Sequence, residues 1–176
     1  DMTEEYVSKY TVSERLTIAY QIWGESEDIL IYVPETISHL EAALEDNEYL
    51  AWIRQLSNFY RLIIFDKRGQ GLSDRDTTAP NLEERMDDIS SIVEAEKLNT
   101  FFLFGLSEGS SISLVYAASY PQKVKALAVF DGPSRSIESA ISSIARLSEI
   151  DLKIRCSLHI GEVIWRNDDI TGIAVN

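Results

Sequence analysis

Cysteine, histidine and positive charge are all scarce in this sequence. Cys156 is its one cysteine, so no disulfide can close within the chain, which fits a reducing, cytoplasmic setting. The two histidines are His39 and His159, which narrows the choice of any general base. Lys and Arg number 16 against 29 Asp and Glu, a net charge of −13. Such a balance opposes a nucleic-acid or anionic-membrane surface, because both are polyanions. The acidic excess is spread along the chain and is read as serving solubility. Apolar runs are short, and the longest, such as Leu62 to Phe65 and Ala126 to Phe130, suit strands rather than a membrane span of ~20 residues. Asp1 to Glu5 is acidic with no apolar signal core, so export is not indicated. No repeat, low-complexity tract or linker interrupts the 176 residues, a length suited to one well-buried domain.

What is present is an alternation of strand and helix patterns. Glu5 to Tyr10 and Leu16 to Trp23 alternate apolar and polar residues around Ser13-Glu14 and predict an antiparallel hairpin. Ile29 to Val33 and Leu62 to Phe65 are continuous apolar runs, hence buried strands. Leu40, Leu44, Leu50, Ile53 and Leu56 keep near-helical spacing. Asn81-Leu82-Glu83-Glu84 is a capping box, and Leu82, Met86, Ile89 and Val93 form one face of the helix it opens. A strand to Phe104, a helix stopped before Pro121 and a strand from Val124 to Phe130 follow. Ile137, Ala140, Ile141, Ile144 and Leu147 mark an amphipathic helix over residues 134–149, and Ile154 to Trp165 reads as an irregular strand that Gly161 can break. Strands alternating with helices imply an α/β fold, a mostly parallel sheet covered on both faces, with any active edge at the strand carboxyl ends. Trp23, Trp52 and Trp165 are read as core or interface, and Asp168-Asp169 after Asn167 as a turn rather than a metal site.

The stretch FFLFGLSEGSSISLVYAASY, Phe101 to Tyr120, carries the chemistry. A buried strand meets Gly105-Leu106-Ser107-Glu108-Gly109 and then a helix, so Ser107 sits at the apex of G-x-S-x-G. The glycines permit a tight turn that pushes the Ser107 hydroxyl out at the sheet edge. The Glu108 amide, opening the helix, would face an oxyanion formed there. The competing reading is an ordinary strand–helix turn whose serine caps the helix.

With the opening hairpin, YVP (Tyr32 to Pro34), HLE (His39 to Glu41), FDKRGQGLSD (Phe65 to Asp74), LEERMDDI (Leu82 to Ile89) and GLSEGS (Gly105 to Ser110) in this order, residues 1–130 resemble the α/β-hydrolase superfamily. The resemblance is in particular to hydrolase-like domains of bacterial proteins fused to class III adenylate cyclases. It implies a nucleophilic Ser107 and an oxyanion hole from the amides of Glu108 and of Thr36 after the third strand. Glu35 stands where the family usually has a glycine. From Phe130 on, FDGPSRSIESAISSI and RCSLHIGEVIWRNDDITGIAVN resemble the late part of a class III cyclase catalytic domain. Residues 131–176 are therefore expected to be a cyclase-like remnant completing the same domain, its early metal-binding aspartates replaced by hydrolase sequence.

A serine nucleophile needs a base, usually a histidine oriented by a carboxylate. His39 precedes Ser107, in the loop after the third strand, and is read as structural or pocket-lining. His159 would end a seventh parallel strand, with one strand between it and that of Ser107, about 10 Å at ~4.8 Å per strand. Asp131, ending the strand between, sits where some hydrolases keep their acid. The expected set is therefore Ser107, Asp131 and His159, with Glu108 and Thr36 as oxyanion donors and neither metal nor organic cofactor. Arg68 is read as tying loops together. The leading function is a serine esterase acting on a small acyl ester; the alternative is a non-catalytic sensory or dimerisation module. Ile160, Val163, Ile164 and Trp165 are too apolar as a group for water, so a homodimer through residues 133–176 is expected.

Overall fold

The computed structural model describes residues 5–75 and 79–132, together with strands at 153–157, 163–166 and 169–172. Seven strands make one sheet: β1 (Tyr6–Ser13), β2 (Leu16–Trp23), β3 (Ile29–Val33), β4 (Arg61–Phe65), β5 (Phe101–Leu106), β6 (Val124–Phe130) and β7 (Lys153–Ser157). Their order is β1-β2-β4-β3-β5-β6-β7. The hairpin β1–β2 and the pair β2–β4 are antiparallel; every pairing from β4 across to β7 is parallel. This is the α/β architecture that the alternating pattern implies.

The central strands are apolar on both faces because helices cover both. In β3, Leu30 and Tyr32 face one way and Ile31 and Val33 the other; in β4, Leu62 and Ile64 oppose Ile63 and Phe65. The first face packs on Leu50 and Ile53 of helix α1 (Asn47–Ser57). The second packs on Ile89, Ile92 and Val93 of α2 (Leu82–Ala95) and on Ile112, Tyr116 and Ala117 of α3 (Glu108–Ser119). α2 opens with the expected capping box, Asn81 and Glu84 bonding each other's backbone amides. The helix expected from Leu40 is split. A 3-10 turn spans Ala42–Glu45, and α1 begins only after Asp46, whose extended backbone breaks the run while its carboxylate accepts from the Glu48 and Tyr49 amides.

The stretch Ile154 to Trp165, expected as an irregular strand that Gly161 can break, holds two strands. β7 joins the main sheet, whereas β8 (Val163–Arg166) pairs antiparallel with β9 (Asp169–Gly172) in a separate ribbon. Arg166 lies opposite Asp169, so β9 runs back along β8. The helix expected over residues 134–149 lies outside the described residues.

The loop after β4 is held from several sides. Arg68, fully buried, donates through Nε and Nη2 to Asp88 of α2 at 2.8–3.1 Å, and through Nη2 to the Ser13 hydroxyl at 3.1 Å. Asp74 accepts the Thr17 amide at 2.7 Å, and buried Asp66 accepts the amides of Leu40 and Leu72. Arg68 thus ties the loop to the hairpin and to α2. Asp88→Ala would leave its guanidinium buried without its main counter-ion, and is expected to lower unfolding stability by about 3–5 kcal/mol. Urea unfolding monitored by circular dichroism measures this; a loss below about 1 kcal/mol would show that Asp88 contributes no more than a surface pair.

Candidate active site

Ser107 joins β5 to α3 with φ 51° and ψ −115°, a backbone conformation that L-residues rarely adopt. Its side chain makes no capping bond to the helix. The capping alternative therefore fails, and the chain forms a strained elbow with the hydroxyl unclaimed by α3. Two glycines make this turn possible by close approach. A Cβ on Gly105 would come within 2.5 Å of the Gly109 carbonyl oxygen, and one on Gly109 would strike the carbonyls of Val33 and Pro34. The helix start is thereby pressed against the ends of β5 and β3. The Ser107 amide donates to the Phe130 carbonyl at 2.9 Å, and the Ser110 hydroxyl donates to Gly105 and Phe130 carbonyls at 2.8 and 3.0 Å. The elbow is fastened to the end of β6, and Asp131 is the next residue, exposed and with φ 52°.

Glu108 is the first residue of α3, so its amide has no acceptor within the helix. Its carboxylate accepts from Lys67 Nζ at 2.7 Å and from Arg85 Nη1. Burial pushes this carboxyl up, but the hydrogen bonds and charges of Lys67 and Arg85 outweigh it and hold the group below the usual carboxylate range. The Lys67 ammonium is buried, which pulls its pKa down against the opposing pull of Glu108. Besides Glu108, Lys67 Nζ donates to the Glu35 carbonyl and, at 3.0 Å, to the Thr36 carbonyl. Gln70 adds Nε2 to the Thr36 carbonyl at 2.8 Å and accepts the Ser38 amide at 2.7 Å. Thr36 is exposed on the loop after β3, which is braced from below by residues of the β4 loop.

Of the two histidines, His39 lies among the described residues. His39 is exposed; its Nδ1 accepts the Ala42 amide at 3.2 Å, and the ring lines a pocket of about 220 Å³ with Tyr32, Tyr49 and Asp66. That pocket lies under the 34–40 loop and does not include Ser107. β7 runs parallel to β6 with Ser157 opposite Phe130. His159, two residues further, lies outside the described residues. Among the described residues no base hydrogen-bonds the Ser107 hydroxyl, and no cluster of His, Cys, Asp and Glu could hold a metal ion. No helix among them is long and apolar enough to cross a membrane. Lys67, Arg85 and Gln70 were not candidates from sequence: nothing in their spacing says that a lysine within Asp-Lys-Arg-Gly turns toward the elbow.

The family described as serine aminopeptidase, S33, matches residues 47–162. Among curated proteins, the chain is 30% identical over 134 residues to a non-heme chloroperoxidase of Streptomyces lividans, covering 73% of this chain and 46% of that protein. It is 39% identical over 74 residues to a proline iminopeptidase of Arabidopsis thaliana, covering 39% of this chain and 19% of that protein. The chain thus spans less than half the length of these relatives. Among solved structures, a bacterial membrane phospholipase A described as a virulence factor superposes with a TM-score of 0.62 at 21% identity, covering 73% of this chain and 40% of that one. Likeness at that identity concerns the fold.

Proposed function

The chain belongs to the serine aminopeptidase, S33, family of α/β-hydrolases, and from that premise we propose that it is a serine hydrolase of esterase type acting on small acyl esters. The observation that carries the proposal is the strained elbow, which presents Ser107 beside the first amides of α3. In this reading the Ser107 hydroxyl adds to the acyl carbon while its proton passes to His159, held by Asp131. The Glu108 and Thr36 amides receive the oxyanion. The intermediate collapses with loss of the alcohol, which takes the proton from His159, and water then releases the acid from Ser107 by the same steps. This chemistry requires neither metal nor organic cofactor.

Hydrolysis of p-nitrophenyl acetate tests it. A fast release of about one equivalent of p-nitrophenolate per chain, followed by slower turnover, is expected of an acyl-enzyme. A chain that neither bursts nor turns over would be the non-catalytic module instead. Association with a second copy through residues 133–176, in the manner of a remnant from a hydrolase–cyclase fusion, belongs to the same proposal. It rests on the apolar run Val163, Ile164 and Trp165. Light scattering at micromolar concentration would give a dimeric mass; a monomeric mass would refute that part.

A further inference from the structure

We infer that Lys67 is a positioning residue that clamps the two halves of the oxyanion hole to one another; the inference rests on the hydrolase reading for its catalytic consequence. An ammonium has three donors and no acceptor. All three of Lys67 are used, on the Glu35 carbonyl, the Thr36 carbonyl and the Glu108 carboxylate. The first two acceptors belong to the loop after β3 and the third to the first residue of α3. These are the segments whose Thr36 and Glu108 amides would bind the oxyanion. One buried cation therefore bridges two segments that lie far apart in the sequence.

The bridge is built to be rigid. The Lys67 side chain is only 6% exposed, so water competes little for its donors. Its own amide is bonded to the Ser38 hydroxyl, 3.2 Å away, which fixes the backbone from which it reaches. Arg85, from α2, holds the other carboxylate oxygen of Glu108, so that side chain cannot swing with the lysine. Glu35 occupies a position where a glycine would leave the loop freer, and its carbonyl is one of the three acceptors. The clamp thus supplies from the β4 loop an order that the 34–38 segment's own sequence does not.

Hydrogen exchange and kinetics together test this. Lys67→Met is expected to speed amide exchange about tenfold in both residues 34–38 and residues 107–110. It should also lower kcat for p-nitrophenyl acetate about 10²-fold with KM changed less than about twofold, because a displaced donor costs transition-state rather than ground-state binding. Glu108→Gln, which weakens one arm only, should loosen the same two segments less, and its kinetic loss should not add to that of Lys67→Met. Lys67→Cys alkylated with 2-bromoethylamine restores an ammonium at nearly the original reach and should regain most of the lost kcat. The parent chain treated alike is the control. Exchange that rises in one segment alone or in neither, a loss confined to KM, or no rescue by the alkylated variant would overturn the clamp. Should Lys67→Met not fold, the Glu108→Gln exchange pattern decides in its place. If the parent itself shows no turnover, the hydrolase reading fails, while the exchange result still decides whether Lys67 couples the two segments.

Discussion

Ser107→Ala should abolish both the p-nitrophenolate burst and labelling by a fluorophosphonate probe, with steady-state turnover falling toward 10⁶-fold, the order seen when a catalytic serine is removed. The reason is local and geometric. No other hydroxyl among the described residues stands at a positive-φ elbow without a bond to its own helix. Ser110, three residues on, is fully buried and spends its hydroxyl on the Gly105 and Phe130 carbonyls, so it cannot substitute. The backbone strain at Ser107 is set by Gly105, Gly109 and the tie to Phe130, not by the hydroxyl. Alanine should therefore keep the fold and remove the reaction alone. Residual hydrolysis at the parent rate would move the chemistry elsewhere.

His159→Ala is expected to slow turnover by several orders of magnitude while leaving the unfolding midpoint close to that of the parent. β7 lies beside β6 in parallel register, and Ser157 is opposite Phe130, the residue whose carbonyl receives the Ser107 amide. The chain thus leaves β7 at the same sheet edge as the elbow, two residues before His159. A base must be unprotonated to accept the serine proton, so parent kcat/KM should fall on the acidic side of its pH profile. The His159 variant should lose that limb. His39→Ala should retain both rate and profile, since its Nδ1 is engaged with the Ala42 amide and its ring lines a pocket without Ser107. Unchanged turnover in His159→Ala would eliminate this histidine as the base.

Much of the sheet was legible because each buried strand is a short apolar run and α2 carries a capping box at its start. The two-faced apolarity of Ile29 to Val33 and of Leu62 to Phe65 could only be satisfied between helical layers, and the capping box at Asn81 marked α2 to the residue. Where the expectation missed, a single local interaction decided. Asp46 captured two amides and restarted the helix that hydrophobic spacing alone had carried on from Leu40. Past Ser157, the apolar alternation could not say which strand would be its partner, and Val163–Arg166 paired with Asp169–Gly172 instead of the main sheet. The elbow itself was visible in five residues, because its glycines report steric contacts that any side chain would violate. The brace behind it was not visible. Lys67, Arg85 and Gln70 act by reaching across the chain to carbonyls and to Glu108, and such reach has no signature in spacing or composition.

The proposed chemistry stands or falls on one covalent bond. Incubation with a fluorophosphonate, followed by proteolysis and mass spectrometry, should find one phosphonyl group, carried by the peptide containing Ser107 and fragmenting to that residue. An adduct on another residue, or none under conditions in which the chain is folded by circular dichroism, would contradict it.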